Sequence, residues 1–210
     1  MSLEQRENDD GLKDRILALS DGIFGFAMTL LVITLEVPQL PEQSTSDDLL
    51  GALLDLAPQA QSYVISFVVL GAYWIGHHRV FKYIHSADGR LAQFNVLYLM
   101  CIAFMPLPTA VLGDYSGDQV AVVLYAATLA TASLLMWLIW EYAWKGRLVE
   151  PNLDPRLKAH NSLVVLLSAA VFVVSIGLSF WSPSAAMWSW LLTAAIHPIL
   201  DRVFGASGIT

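Results

Sequence analysis

The chain has 210 residues, 56% hydrophobic and only 14% charged, with a formal net charge of −7 and a mean hydropathy of +0.58. An ordinary soluble domain carries roughly 25% charged residues. The apolar residues here fall instead in tracts of about the 20 residues that a bilayer crossing requires, which excludes a soluble globule and predicts an integral membrane protein.

Six such tracts follow one another, at about 16–37, 57–78, 92–112, 119–143, 162–181 and 185–203. They predict an all-α membrane fold of six transmembrane helices in a single domain over residues 1–210. The start, MSLEQRENDD, is acidic and lacks a positive n-region, and no small-residue cleavage site follows the first tract, so no cleavable signal peptide is expected. Between the first and second tracts, EVPQLPEQSTSDD ends in a cap-like Ser46. LLGALLDLA is then predicted to extend the second helix outward, with Pro58 bending it rather than ending it. WKGRLVEPNLDPRL, with Gly146, Pro151 and Pro155, reads as the loop between the fourth and fifth. The sixth is interrupted by His197-Pro198, and no internal repeat is visible.

Charge orients the bundle. Arg6, Lys13, Arg15, Arg79, Lys82, Arg90, Lys145, Arg147, Arg156, Lys158 and Arg202 fall in the N-terminal tail, the 2–3 and 4–5 loops or the C-terminal end. The positive-inside rule then puts both termini in the cytoplasm, as an even number of crossings requires. The opposite loops carry Glu42, Asp47, Asp48, Asp114 and Asp118. They either raise the local concentration of cations or simply solvate that surface. Trp140 and Trp144 at the inner end of the fourth span, with Trp181, Trp188 and Trp190 at the outer end of the last two, form an expected interfacial belt. Cys101 is the lone cysteine, so no intrachain disulfide is possible.

The first span, RILALSDGIFGFAMTLLVITLEVP, carries the most information. Arg15, Leu19, Gly22, Phe26, Thr29, Ile33 and Glu36 recur at 3–4 residue spacing and share one helical face. That face mixes a glycine, a hydroxyl and bulky apolar groups between charged ends. It is either a pore lining or a packed helix–helix seam in which Gly22 permits close approach. Asp21 lies about 8 Å inside Ile16 at 1.5 Å per residue and roughly 120° from Arg15, so it turns toward neighbouring helices. An intramembrane carboxylate needs partners. A Ser20–Asp21–His77 hydrogen-bond cluster near Arg15 is expected to satisfy it and lock the first helix to the second.

Three stretches resemble the endolysosomal potassium channel family (the transmembrane protein 175 family), as a prokaryotic member. The first has Arg15, Ser20, Asp21, Thr29, Leu30, Leu31 and Pro38, with Leu19 where the family usually has Phe. The others are YWIGHHRVF (Tyr73 to Phe81), and Asn95 followed by MPLPT (Met105 to Thr109), with Leu107 where Phe is commoner. The resemblance covers about the first half of the chain. It implies a potassium channel of the cell membrane, modestly selective over sodium, in which a homotetramer brings the first helices around a central axis. The implied pore-lining side chains are those at Phe26, Thr29 and Ile33, with Gly22 on the same face. Relatives usually carry Leu or Ile at the position of Phe26. The motif network Arg15, Ser20, Asp21 and His77 is implied to be structural. There is no TVGYG-like filter, so selectivity would arise from apolar rings and hydroxyls.

The expected partners are potassium ions, the lipid bilayer and further copies of the chain; no cofactor and no nucleic acid are expected. Adjacent His77 and His78 point about 100° apart on a helix, so a shared metal is disfavoured. Glu141 is expected to snorkel or to pair with Lys145 at i+4. His197, Asp201 and Arg202 read as a structural inner-surface cluster. No nucleophile with a base, phosphate-cradling loop or zinc spacing points to an enzyme. Two rival readings stay open: a proton-coupled secondary transporter relaying through Asp21 and His77, and a non-transporting membrane scaffold.

Overall fold

The computed structural model describes residues 3–205. Helix α1 (Leu3–Leu30) tightens into a 3-10 turn at Leu31–Thr34. It is followed by α2 (Ser46–Asp55), α3 (Ala57–Lys82), α4 (Gly89–Phe104), α5 (Pro106–Asp114), α6 (Gln119–Lys145), α7 (Pro155–Leu178), α8 (Pro183–Ser189) and α9 (Leu192–Gly205). Among the described residues, five stretches are long and apolar enough to cross a membrane: Gly11–Thr34, Ala57–Lys82, Gly89–Asp114, Gln119–Lys145 and Pro155–Leu178. The sixth predicted span is instead two shorter helices, α8 and α9.

Local chemistry explains where the helices start and stop. Carboxylates cap three of them: Asp88 accepts from Leu91 N, Asp118 from Val120 N and Asp154 from Arg156 N. Pro155 occupies the first turn of α7, where its missing N–H costs nothing. The third predicted span bends at Met105, because Pro106 and Pro108 cannot donate to the carbonyls one turn back.

Three local expectations are corrected. The cap of α2 is Thr45, not Ser46. Its hydroxyl accepts from Asp48 N, and Asp48 Oδ2 accepts from Thr45 N at 2.8 Å. Pro58 does not bend a continuous helix: the chain breaks at Leu56, and Pro58 sits in the first turn of α3. The last break falls at Trp190–Leu191, while Pro198 lies inside α9. There the Trp190 indole is held at 4.2 Å on Tyr125 and donates to Ser175 Oγ at 2.7 Å. The side chains of His197 and Asp201 lie outside the described residues, as does that of Arg6.

Helix α6 is the centre of the packing. It lies against α7 and α4 and buries Ala121, Tyr125, Leu129, Ala132, Met136 and Trp140 along its length. Trp140 is fully buried and donates to the Lys158 carbonyl at 3.2 Å, and Trp190 is also buried, so neither joins the belt. Trp181 and Trp188 are exposed. At the basic end, the segment after α3 pairs with the segment after α6: His85 N and Ser86 N both donate to Leu148 O, and Glu150 N donates to Tyr83 O. Glu141 lies 3.3 Å from Lys158 and 3.8 Å from Lys145, so its nearer partner is on α7 rather than at i+4.

Candidate functional site

Helix α1 is divided lengthwise. Ile16, Ser20, Phe24, Ala27 and Leu31 recur at 3–4 residue spacing and are all buried against α3, α4 and α5. The opposite seam is open along its whole length: Arg15, Leu19, Gly22, Phe26, Thr29, Ile33 and Glu36 are each exposed. Phe26 is 63% exposed and Ile33 71%. A Cβ built on Gly22 would meet nothing within 4 Å, so within one chain that glycine serves no close approach.

Thr29 completes the face. Its hydroxyl donates to the Phe26 carbonyl at 2.8 Å. The proton is thereby committed to the helix's own backbone, and what the oxygen offers outward is lone pairs. An apolar ring, an acceptor and a second apolar ring therefore succeed one another on the open side. The 3-10 turn at Leu31–Thr34 advances the helix slightly faster per residue but leaves Ile33 on this face.

The predicted Ser20–Asp21–His77 cluster is corrected into two separate networks. Asp21 Oδ1 accepts from Trp74 Nε1 at 2.9 Å and lies 3.0 Å from His78 Nε2. His77 meets Asn95 instead, Nε2 to Oδ1 at 3.0 Å, and Asn95 Nδ2 donates to Ser20 Oγ at 3.1 Å. Helix geometry explains the split. His77 and His78 diverge by about 100°, whereas Trp74 and His78 are one turn apart and share a flank. That flank meets Asp21 at the half-exposed edge of α1. His77 points into the core, with its ring 4.3 Å from Phe81 and 5.6 Å from Tyr98. Among the described residues, Arg15 joins neither network.

The inner network has a fixed polarity. Ser20 spends its proton on the Ile16 carbonyl at 2.8 Å, so its oxygen accepts from Asn95. Asn95 then presents Oδ1 to His77, which must donate from Nε2. The chain of donors runs His77 to Asn95 to Ser20 to the backbone of α1. It ties three helices together with every member buried. Sequence reasoning overlooked Trp74 as a partner of Asp21. Its position four residues before His78 was the available signal. Asn95 was singled out only through the resemblance.

A family model described as the endosomal/lysosomal potassium channel TMEM175 matches residues 15–106, a stretch that begins at Arg15 and contains both networks and the open seam. A potassium channel of Streptomyces collinus is 31% identical over 196 residues, covering 91% of this chain and 90% of that protein. A potassium channel of Chamaesiphon minutus is 31% identical over 172 residues, covering 80% and 84%. Among solved structures, the crystal structure of a lysosomal potassium-selective channel TMEM175 homolog from Chamaesiphon minutus superposes with a TM-score of 0.79 at 27% identity. That match covers 91% of this chain and 99% of the other.

Proposed function

The chain belongs to the TMEM175 family, and on that premise we propose that it is a potassium channel assembled as a homotetramer, with α1 of each subunit lining a central pore. It is a multi-pass helical membrane protein, and the proposal places it in the cell membrane as a single six-crossing domain with both termini cytoplasmic. The sixth crossing would be made by α8 and α9 in series. The observation that carries the reading is the continuous exposure of the α1 seam from Arg15 to Glu36, opposite a face that is buried throughout.

One α1 cannot enclose a pore, but symmetric copies around an axis turn each exposed side chain into a ring. Gly22 leaves the entrance wide. Phe26 forms the narrow apolar ring. Thr29 lies about 4.5 Å further along at α-helical rise, and Ile33 about 7 Å beyond it because the 3-10 turn rises faster. The Thr29 oxygens, with their protons turned into the helix, present only lone pairs and replace part of the ion's hydration. The flanking apolar rings offer no replacement. The ion whose shell is cheaper to strip therefore passes more readily, which favours potassium over sodium by a modest margin, and the same rings can close by dewetting.

The transporter reading required Asp21 and His77 to exchange a proton. Their assignment to separate networks removes the contact on which that relay depended. The test is planar-bilayer recording with potassium on one side and sodium on the other, for wild type, Phe26→Ala and Asp21→Asn. Unitary currents reversing toward the potassium potential are expected, with higher conductance or weaker selectivity in Phe26→Ala and continued conduction in Asp21→Asn. Saturable flux without unitary steps, abolished by Asp21→Asn in a folded protein, would replace the channel with a transporter.

A further inference from the structure

A cavity of about 40 Å³ lies between α3, α4, α6, α7 and α9, bounded by Tyr73, His77, Tyr98, Ser133, Ser168 and Thr193 among others. His77 is 1% exposed, and its Nδ1 has no hydrogen-bond partner among the described residues. The polarity of the chain through Asn95 and Ser20 requires the His77 proton to sit on Nε2, so Nδ1 is a bare acceptor. Four hydroxyls around the cavity have already spent their protons. Tyr73 donates to Leu129 O, leaving Ser133 to donate to Tyr73; Ser168 donates to Val164 O, and Thr193 to Trp190 O. These groups turn lone pairs, not protons, toward the space.

Among the described residues that bound the space, Tyr98 alone has a hydroxyl proton not committed elsewhere, and the excess of acceptors over donors calls for a ligand that brings hydrogens. We propose that the cavity is a built-in water site, in which a bound water donates to His77 Nδ1 and to the Ser168 or Thr193 oxygen. The volume holds about two or three waters, and the site supplies the two to four polar partners that an ordered buried water takes. A small cation such as ammonium would also bring hydrogens, but no carboxylate among the described residues bounds the space. A buried charge with no counter-charge is strongly disfavoured against a neutral molecule, so the neutral donor wins. The water is the far end of the donor chain that reaches the α1 backbone, and this site lies inside each subunit rather than in the pore. It stands independently of the channel reading.

The test is solid-state NMR of the full chain in lipid bilayers, labelled with ¹³C-Gly and with ¹³C,¹⁵N-His so that the Gly76–His77 amide connects through the His77 carbons to its ring nitrogens. Gly76–His77 is the only Gly–His pair in the sequence, so His77 is picked out unambiguously. The expected spectrum shows neutral His77 with its proton on Nε2 and with magnetisation reaching the ring from water. Ser168→Leu, which fills the cavity, should abolish the water transfer and leave the tautomer unchanged; Ala72→Leu does the same from the opposite wall and serves if the first variant does not fold. A proton on Nδ1, a charged His77, or the absence of water transfer in the wild type overturns the proposal.

Discussion

Asn95 sits at the middle of the chain that joins α3, α4 and α1, and its replacement tests that chain quantitatively. Asn95→Leu removes the 3.0 Å bond from His77 and the 3.1 Å bond to Ser20. Interhelical side-chain bonds in bilayers average about 0.6 kcal/mol and reach about 1.7, so the pair supplies about 1–3 kcal/mol. The substitution also strands the buried His77 N–H, which costs about 1–3 kcal/mol. Together these give a net loss of about 2–6 kcal/mol. His77→Phe keeps the aromatic stack on Phe81 and Tyr98 but strands Asn95 Oδ1, for a loss of about 1–3 kcal/mol. In the double variant both stranded groups are gone, so its loss should fall well short of the sum, with a coupling of about 2 kcal/mol. The assay is reversible SDS unfolding in mixed micelles followed by tryptophan fluorescence for the four proteins of the cycle. Additivity within about 0.5 kcal/mol, the behaviour of independent sites, would refute the fixed-polarity chain.

Two further outcomes follow from the geometry. Thr29→Val keeps shape and removes the acceptor oxygen, so the potassium-to-sodium permeability ratio should drop severalfold while Thr29→Ser retains it; reversal potentials under bi-ionic conditions measure both. In α2, the Thr45 N–H and hydroxyl beside Asp48 hold its carboxyl below the ordinary carboxylate range near 4. A depressed folded value means the cap contributes above the unfolded pKa and is lost as pH falls through the folded one. The protection of the Ser46–Asp55 amides, measured relative to their intrinsic exchange rates, should therefore fall below about pH 4, and Thr45→Ala should lower the same protection at neutral pH.

Much of the molecule was legible from local signals. Five of the predicted tracts are long apolar helices, because span length and hydropathy depend on composition within one segment. The shared face of α1 was also readable, since 3–4 residue spacing places Arg15, Phe26, Thr29 and Ile33 on one side whatever surrounds the helix; that this face is exposed rather than packed came only from the structure. That Asp21 faces a neighbour follows from the same arithmetic. Which neighbour it meets does not. The azimuths of His77 and His78 are fixed by the helix, but the partner at each azimuth depends on how α4 inserts Asn95 beside Ser20. Only the packed bundle decided that His78 and Trp74 take the carboxylate. The break at Trp190 has the same origin: the indole docks on Tyr125, more than sixty residues earlier, and no local propensity marks the site. The cavity beside His77 is the furthest from the sequence, because it is space left where five helices meet, and space has no residue of its own to read.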